Sequence, residues 1–415
     1  AVFFVLDHPA LAFVASGAVF LCLTGAEALY GDMGHFGPKP VRFAWFSLVF
    51  PALMLNYFGQ GALLLRSPQA AANPVYLLAP SMLLLPMVVL ATAASLIASQ
   101  AVITGAYSAS QQASRLNLLP RLRVLHTSDT ARGQIYIPVV NWVLLALVLT
   151  LVLMFRSSEH LAAAYGIAVA GTLFLSSVIL LLSLPFARRL PLRALWPLFL
   201  ALAAIEGFFL LSNASKFDDG GWVPMLLAAV MFTLLSTWRR GMDFLRAKKD
   251  AATAGIPDGL EMDLSGIPRV PGTALFFSSA VGGCPGAFLH NLKHNKVVHE
   301  TTVFLTVEFD DVPRVLDDER VGVQRGRNGI VRLIAHFGYR EDPDIRLILR
   351  LAARKGVHLE LDEISFFTSK PTVVSVSRRG LFGWRRSLFG WMLQNSTSVA
   401  DYFNLPPNRV IELGA

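Results

Sequence analysis

Long apolar runs, separated by short polar connections, occupy the chain up to about residue 240. A helix of about 20 apolar residues crosses the roughly 30 Å hydrocarbon core of a bilayer, so each run is long enough to span a membrane. The runs lie near residues 10–30, 43–65, 76–104, 137–155, 161–184, 195–212 and 222–238. The pattern predicts an α-helical membrane domain of about seven spans over residues 1–240, followed by a linker over residues 241–260.

After the linker the pattern changes, and short apolar, β-branched runs alternate with amphipathic stretches. Residues 273–279, 301–309 and 330–338 are typical of strands. FLHNLKHNKV and DIRLILRLAARKG have helical spacing, and a strand-like HLELDEISFF follows the second of them. We therefore expect a C-terminal α/β domain over residues 261–415.

The composition agrees with a membrane protein, since 54% of the 415 residues are hydrophobic, 15% are charged and the mean hydropathy is +0.53. The net charge of +8 would suit nucleic acid, but among the first 250 residues most basic side chains lie in alternate connections of the apolar runs or just after the last one. One set of connections carries Lys39, Arg42, Arg115, Arg121, Arg123, Arg132, Arg188, Arg189, Arg193, Arg239, Arg240, Arg246, Lys248 and Lys249, and the other carries Arg66, Arg156 and Lys216. The positive-inside rule then predicts a cytoplasmic C-terminal domain and no nucleic-acid partner.

Cysteine usage and the polar motifs exclude other classes of protein. Cys22 in an apolar run and Cys284 in the polar domain have no plausible shared disulfide, which fits a reducing compartment for the C-terminal domain. No Ser/His/Asp, Cys/His or paired-carboxylate arrangement suggests catalysis, so we expect neither an enzyme nor a bound cofactor. The chain starts at Ala1, almost directly in a span, and we expect part of the protein to precede it.

The segment CLTGAEALYGDMGHFG, at 22–37, places carboxylates and glycines at the end of the first apolar run. A carboxylate near the middle of a span costs roughly 2.5 to 3.5 kcal/mol on insertion scales, so an acid kept there is a functional candidate. Gly25 weakens the helix, and an unwound turn would offer carbonyls, the Thr24 hydroxyl and the Glu27 carboxylate to a cation. The alternatives are a packing glycine with Glu27 paired to a basic residue, and an Asp32 that only shapes the cytoplasmic turn.

Other polar positions in the apolar domain are weaker candidates for the same site. Asn56 and Gln60 are four residues apart and share a helix face, although such residues commonly form interhelical hydrogen bonds. Tyr165 precedes Gly166 in a span rich in small residues, where its hydroxyl could close or coordinate a site. Glu206 is a second acid in an apolar run, without a neighbouring break.

Three motifs in the C-terminal domain allow a functional or a structural role. His290, His294 and His299 suggest zinc, but no cysteine or acid completes the set at convincing spacing, and a solvated helix is favoured. The loop VGGCPG, at 281–286, lies between a strand and a helix, where phosphate can bind, but it fits neither GxGxxG nor the P-loop pattern. For LFGWRRSLFGWML, at 381–393, packing onto the sheet is favoured over a membrane-surface or dimer contact.

Several long motifs together identify a family. TGAEALYGDMGHFG, LNYFGQGALLL, IASQAVITGAYS, YIPVVNW, AYGIAVAGT, LHNLKHNKVVHE and PPNRVIELG occur in this order along the chain. They closely resemble the Kup/HAK/KT potassium uptake transporters over nearly the whole sequence. The resemblance implies potassium import coupled to protons, on a LeuT-like fold in a bacterial inner membrane, and it leaves a homodimer open.

The resemblance also implies roles for single residues. The first span here resembles the family's sixth, a helix broken at the ion site, so the family's functional acid maps onto Glu27 and a coordinating hydroxyl onto Thr24, while Tyr165 is a weaker match. The family's opening signature, GDIGTSPLY, does not occur in the sequence. We therefore expect the chain to lack the family's first five spans and to hold spans six to twelve, so that the facing half of the inverted repeat is missing.

Two functions remain open at this point. The first is a potassium/proton symporter of which this chain is an incomplete portion. The second is a non-transporting remnant or regulatory membrane protein whose C-terminal domain binds a partner or a nucleotide. Sodium or an amino acid is a further substrate within the same fold, because selectivity depends on ligand number and field strength, which a sequence does not supply. No metal is expected beyond the transported potassium.

Overall fold

A computed structural model describes residues 2–23, 25, 37–126, 135–184, 192–253, 256–278, 281–310, 312, 314–338, 341, 343–370, 383–403 and 405–414. The chain forms two compact units. The first, here called the membrane unit, comprises Ala1–Ser108 and His126–Val230. The second, here called the sheet unit, comprises Ala109–Leu125 and Met231–Ala415.

Helices dominate the first part of the chain, and most of the long ones begin at or near a proline, which suits the first turn because its missing N–H would have no partner there. The helices are α1 (Val2–Asp7), α2 (Pro9–Phe20), α3 (Pro38–Ala44), α4 (Phe50–Arg66), α5 (Pro74–Leu77), α6 (Leu84–Arg115), α7 (Pro138–Phe155), α8 (Ser158–Ser183), α9 (Leu192–Ala214) and α10 (Trp222–Thr253). A π-helical turn over Trp45–Val49 joins α3 to α4, and the two-residue strands β1 (Leu125–His126) and β2 (Ile135–Tyr136) pair with each other.

The predicted spans agree with the helices observed. Within the described ranges, six helical segments are long and apolar enough to cross a membrane: Pro38–Arg66, Ser81–Arg115, Pro138–Phe155, Leu161–Ser183, Leu195–Ala214 and Phe217–Lys248. The first predicted span, at 10–30, corresponds to the shorter apolar helix α2, and most of its second half lies outside the described residues. Large apolar side chains such as Leu65 and Met82 are about nine-tenths exposed on these helices, as expected for surfaces that face lipid.

The sheet unit contains a six-stranded sheet in the order β5-β6-β4-β3-β7-β8. Its strands are β3 (Arg269–Ser278), β4 (Val298–Asp310), β5 (Val321–Arg325), β6 (Ile330–Gly338), β7 (Ile364–Lys370) and β8 (Val410–Gly414). All neighbours pair in parallel except the edge strand β5, which is antiparallel to β6. The helices are α11 (Gly286–His294), α12 (Asp317–Arg320), α13 (Ile345–Arg354), α14 (Gly383–Gln394) and α15 (Val399–Tyr402).

Both faces of this sheet are covered, as parallel strands require. Alternate residues of β3 point to opposite faces, so Phe276 packs in one core with α11 while Leu275 packs in the other with α13. Asp344 caps the first turn of α13 by accepting a hydrogen bond from the Arg346 backbone N–H at 2.8 Å. The expected α/β domain is confirmed, although β7 starts only at Ile364, later than the strand-like sequence suggested.

The amphipathic helix α14 differs from its favoured interpretation. Its apolar residues Phe389 and Met392 pack against Trp238 and neighbouring residues of α10 rather than onto the sheet. A Cβ atom at Gly241 of α10 would lie 2.2 Å from the Phe389 ring, so only glycine permits this close approach. The sequence of α14 showed an apolar face but could not show which apolar surface that face meets.

Candidate cation site at the end of helix α2

The end of α2 is the main candidate site. Helix α2 stops at Phe20 and continues as a single 3₁₀ turn over Leu21–Leu23. Gly25 has a φ of 99°, which is outside any right-handed helix, so the helix does not continue through it. The helix therefore ends before this glycine, where the sequence predicted an unwound turn, and this end is here called the break; the residues that would continue the span lie outside the described ones. Thr24, Glu27 and Asp32 lie outside the described residues, and their roles remain predictions.

A helix that ends within an apolar region leaves carbonyl oxygens without helical partners, and these carry the negative end of the helix dipole. One of them, the Cys22 carbonyl, accepts a hydrogen bond of 2.9 Å from the Tyr57 hydroxyl of α4. This hydrogen bond holds the turn against α4 and occupies one of the carbonyl oxygens at the helix end. Carbonyls at such a helix end can stabilise a cation, as in transporters whose helices are broken at the ion site.

Asn56 and Gln60 lie on either side of Tyr57 in the sequence of α4. The Gln60 side-chain amide donates a hydrogen bond to the Asn56 side-chain oxygen, so the two side chains satisfy each other. This bond lies along one face of a single helix, and it does not join two helices as the structural alternative predicted. The pair is thus one residue away from the hydrogen bond that reaches the α2 break, and a direct role for it in binding remains a prediction.

Helix α8, which carries Tyr165, also lies beside this turn. It is half-buried on α8, next to Gly166. A Cβ atom at Gly166 would lie 3.5 Å from the Leu21 side chain, so α8 passes directly beside the 3₁₀ turn. Both α4 and α8 thus contact the 3₁₀ turn, and Tyr165 is one residue from the α8 contact in the sequence. Whether Tyr165 coordinates an ion remains a prediction.

Below the break, α2 and α9 are joined by a small hydroxyl cluster. The Ser212 hydroxyl donates to the Phe13 carbonyl at 2.5 Å, and the Ser16 hydroxyl lies 2.6 Å from the same carbonyl and 3.0 Å from Ser212 Oγ. Ser212 is fully buried. Two hydroxyl protons and three oxygens thus form a connected network, which fixes the register of α2 against α9 without a charge.

Asn213, the next residue on α9, fits between two glycines. Its side-chain amide donates to the Phe209 carbonyl at 2.9 Å, whereas no described residue donates a hydrogen bond to its buried Oδ1. A Cβ atom would lie 2.4 Å from that oxygen at Gly166 and 3.3 Å from it at Gly17. Glycine at both positions is therefore what allows α2, α8 and α9 to meet at this level.

Helix α2 thus ends in a turn that contacts α4 and α8, and a buried polar cluster lies one to two turns before this end along α2. Such a frame can hold carbonyl and carboxylate ligands in place while they exchange an ion, because its polar groups are uncharged and mostly satisfied by one another. Sequence reasoning missed Tyr57, Ser16, Ser212 and Asn213. A serine or asparagine in an apolar run is a detectable signal, but its partner on another helix is not.

Glu206 and the histidines of α11 were further candidates in the sequence. Glu206 of α9 is half-buried, and no described residue forms a hydrogen bond with its buried Oε2. The rings of His290 and His294 stack at 5.9 Å on α11, but no group of three metal-ligating side chains occurs in the described parts of the chain. The zinc interpretation, already disfavoured, gains no support.

The loop after β3 lies at a distinctive place in the sheet. Strands β3 and β7 are neighbours, while β4 and β6 lie on the other side of β3, so the strand order reverses at β3. In open parallel sheets, ligands bind beyond the carboxyl ends of the strands at such a point. The described part of the loop, 281–285, contains Gly283 with a φ of 79° and leads into α11.

The ion pair of Arg332 and Asp258 contacts the backbone of that loop. Arg332, which is 4% exposed, donates to both carboxylate oxygens of Asp258 at 2.5 and 2.9 Å and to the Gly283 carbonyl at 2.6 Å. The hydrogen bonds from Arg332 lower the pKa of Asp258, so the pair stays charged at neutral pH. This contact ties the segment before β3 to the loop that follows it.

Comparisons with known proteins cover both parts of the chain. Residues 1–243 match a family model described as the K+ potassium transporter integral membrane domain, and residues 271–415 match the K+ potassium transporter C-terminal domain. A Chromobacterium violaceum protein named "Probable potassium transport system protein Kup 2" is 47% identical over 417 residues, covering 100% of this chain and 67% of the relative.

Two further relatives give the same result. The Cupriavidus necator "Probable potassium transport system protein Kup 1" is 46% identical, covering 100% of this chain and 66% of its own length. The Myxococcus xanthus "Probable potassium transport system protein Kup" is 49% identical over 97% of this chain and 62% of its own length. The chain thus spans about two thirds of the length of the curated relatives it matches.

Proposed function

Because the chain belongs to the K+ potassium transporter family, we propose that it forms part of a membrane protein that takes up potassium ions. The observation that carries this proposal is the end of the α2 helix after Leu23, where the last carbonyls of a helix lack partners within that helix, directly before the segment of the sequence that holds Thr24 and Glu27. Carbonyl and carboxylate oxygens can replace the hydration shell of a potassium ion. In this proposal, Thr24 and Glu27 bind or couple the ion, and Tyr165 closes the site from α8.

The same segment also offers a group for proton coupling. Glu27 is a carboxylate in an apolar region, and such a group can exchange a proton when a cation arrives or leaves. We therefore propose potassium/proton symport on a LeuT-like framework, in a bacterial inner membrane with the sheet unit in the cytoplasm. Asn56, Gln60 and Asp32 support the site in this proposal, and the facing ligands come from the family's first five spans, which this chain is proposed to lack.

Potassium-limited growth tests this function directly. An uptake-deficient strain expresses the chain together with any upstream coding sequence of its gene, either unchanged, with Glu27→Gln or with Glu206→Gln as a matched control acid. We expect growth with the unchanged protein and with Glu206→Gln, and none with Glu27→Gln. Growth with Glu27→Gln would contradict the role of that carboxylate, and growth with no version would contradict transport itself.

A second candidate function rests on the position of the 281–285 loop. This loop lies at the strand-order reversal of a parallel sheet, where other proteins bind small ligands, and a helix of nine residues begins beside it. In this alternative, the chain is a regulatory membrane protein whose sheet unit binds a nucleotide or a partner. An upstream coding segment with five further spans and a GDIGTSPLY-like stretch would favour transport, and saturable nucleotide binding without uptake would favour the alternative.

A further inference from the structure

Helix α14 presents two exposed tryptophans on one face. Trp384 and Trp391 are 60% and 61% exposed, and Ser387 lies between them on the same face. Their spacing of three and four residues places all three side chains along one line of the helix. Tryptophan is highly buried on average in soluble proteins, so two indoles exposed on one helix face indicate a surface that meets another phase or partner.

The opposite face of α14 fixes its position relative to a membrane span. Phe389 lies 5.5 Å, ring to ring, from Trp238 of α10 and packs over Gly241. Along α10, the apolar segment between Trp222 and Trp238 is about 24 Å long at 1.5 Å per residue. The exposed Trp222 at one end and the exposed Arg239 and Arg240 just beyond the other are typical of a span and its two interfaces, while Trp238 itself is buried under α14.

This packing places α14 at the depth of the lipid headgroups. Gly241 is three residues beyond Trp238, or about 4.5 Å along the helix axis. The headgroup region adds about 5 to 7 Å on each side of the hydrocarbon core. A helix packed on Trp238 and Gly241 therefore lies within or directly against the headgroup layer.

The charges near this level have the sign that anionic lipid attracts. Arg385 and Arg386 are half-buried on the flanks of α14, and the Arg385 guanidinium lies 5.3 Å from the centre of the Trp384 ring. Arg239 and Arg240 are exposed one turn or less beyond Trp238. Indole rings favour the interface between hydrocarbon and water, and basic residues beside them favour phosphate groups.

We propose that α14 is an interfacial helix. Its tryptophan face lies in the headgroup layer beside the end of α10, and its arginines, together with Arg239 and Arg240, bind anionic phospholipid. The sheet unit is thereby attached to the membrane at a second point besides its covalent connection through α10. This inference rests on α10 being a membrane span and is independent of which ion the protein transports.

A fluorophore attached at Ser387→Cys tests the location of the tryptophan face. The full chain carries Cys22→Ser, so that this exposed thiol is not labelled, while Cys284 is buried. It is reconstituted into nanodiscs of phosphatidylcholine and phosphatidylglycerol that contain phospholipid with a nitroxide on its headgroup. We expect strong quenching at position 387 and little at a control label on Glu363→Cys, which is exposed on the sheet unit.

Variants of the two tryptophans distinguish contact with lipid from contact with a second protein copy. Replacing Trp384 and Trp391 together by glutamine is expected to remove most of the quenching, whereas replacing both by phenylalanine retains much of it. Because both indoles are exposed, these changes leave the α10 contact intact, which an unchanged thermal unfolding midpoint verifies. A label at 387 that is quenched no more than the one at 363 would overturn the proposal. So would a label shielded from aqueous iodide but not quenched by lipid, since that result indicates a second protein copy.

The choice of lipid tests the arginines. Quenching at 387 by nitroxide-labelled phosphatidylglycerol is compared with quenching by nitroxide-labelled phosphatidylcholine. Each basic residue near a membrane contributes about 1 kcal/mol, so Arg385→Gln is expected to lower the preference for phosphatidylglycerol about fivefold. The double variant with Arg386→Gln should lower it further. An unchanged preference would contradict the assigned binding of anionic lipid.

Discussion

In the membrane unit, several close contacts between helices involve glycine, serine and asparagine, whereas the cores of the sheet unit are built around phenylalanine, leucine and isoleucine. Asn213 packs against Gly17 and Gly166, and Ser212 bonds to the α2 backbone. In the sheet unit, Phe276 and Leu275 fill the two cores, one on each face of the sheet. The membrane unit thus buries small and polar side chains beside apolar ones such as Phe20 and Ile137, whereas the cores of the sheet unit consist mainly of large apolar side chains.

The surroundings explain this difference. Lipid is as apolar as leucine, so packing apolar side chains between membrane helices gains little, and close backbone approach with polar contacts holds the helices instead. In the sheet unit, removal of apolar surface from water on folding stabilises the core. Every described ion pair also lies in the sheet unit, where exposed surroundings tolerate charge. The two units should therefore respond differently to loss of a charge, to added volume and to acid.

The largest expected effect is in the sheet unit, at the pair formed by Arg320 and Glu341. The Arg320 guanidinium donates two hydrogen bonds to Glu341, at 2.8 and 3.0 Å, and the two side chains are 6% and 15% exposed. Glu341→Gln removes the buried counter-ion of Arg320 and leaves only the exposed Asp317, and it should lower the free energy of unfolding by about 3 kcal/mol. Hydrogen exchange in β5 and β6, measured by mass spectrometry, checks this value.

Asp317→Asn is the matched control for that change. Asp317 contacts the same arginine at 3.2 Å, but its side chain is 58% exposed. Exposed ion pairs contribute about 0 to 1 kcal/mol, so exchange in the two strands should change little. Equal effects of Asp317→Asn and Glu341→Gln would mean that burial does not set the strength of these pairs.

The second prediction adds volume in the membrane unit. In Gly166→Ala, the new methyl group would lie 2.4 Å from Asn213 Oδ1, which forces α8 and α9 apart. Overpacking of this kind costs about 2 kcal/mol, and it also displaces the α8 side of the break. We expect a lower thermal unfolding midpoint in detergent and reduced potassium uptake.

Gly171→Ala on the same helix serves as the comparison. Its nearest atom would be Leu210 Cδ1 at 3.9 Å, an ordinary contact, so stability and uptake should be unchanged. Combining Gly166→Ala with Asn213→Gly should restore part of the lost stability. If the single and double variants unfold at the same midpoint, the contact with Asn213 is not the cause of the loss.

The third prediction concerns acid, which should act on the sheet unit first. Burial lowers the pKa of His299, so protonation opposes folding and stability is lost as the pH falls below about 6.5. Hydrogen bonds from Arg332 lower the pKa of Asp258. For Glu341, burial opposes ionisation, but bonds from Arg320 and two backbone N–H groups more than offset it and lower its pKa. Both carboxylates stabilise the fold above their ordinary pKa near 4, and this stabilisation is lost as the pH falls through their lowered values.

Hydrogen exchange of β4 and β6, followed from pH 7 to pH 3 after correction for the intrinsic rate, measures this dependence. His299→Gln should flatten the upper part of the curve, and Asp258→Asn should flatten the lower part. Exchange in α7 and α9 provides the internal comparison, since no described ion pair lies there. A sheet unit that loses protection in parallel with α7 and α9 would show that these groups do not control its acid sensitivity.

The smallest effect is expected for Tyr57→Phe, which removes only the hydrogen bond to the Cys22 carbonyl. A single bond of this type contributes about 1 kcal/mol, which corresponds to about a fivefold rise in the KM for potassium with little change in stability. Tyr76→Phe, which changes a hydroxyl without a hydrogen-bond partner among the described residues, is the control. A KM that is the same in Tyr57→Phe and the unchanged protein would show that the hydroxyl does not organise the turn.

Local patterns predicted much of this fold. The lengths of the apolar runs predicted the six long apolar helices observed among the described residues, and the extra length of the third run corresponds to the continuation of α6 to Arg115. Alternation of β-branched residues predicted β3, β4 and β6. The glycine in TGAE predicted the helix break, because loss of a side chain weakens a helix whatever surrounds it.

Pairings between distant segments could not be predicted in this way. Ser16 and Ser212 are 196 residues apart, and nothing in either run identifies the other as its partner. The apolar face of α14 was visible, but its contact with Trp238 depends on where two chain segments meet. Asn56 and Gln60 were correctly placed on one face, while the neighbouring Tyr57, which makes the contact to the break, has no feature in sequence that distinguishes it.

The most direct test of the proposed potassium site is the initial rate of potassium uptake as a function of external potassium. The unchanged protein is compared with Thr24→Ala, Glu27→Gln and the control Glu206→Gln, at equal amounts of protein in the membrane. We predict a raised KM for Thr24→Ala, loss of uptake for Glu27→Gln and a nearly unchanged curve for Glu206→Gln. If Thr24→Ala and Glu27→Gln both give the curve of the unchanged protein, the break after Leu23 is not the potassium site.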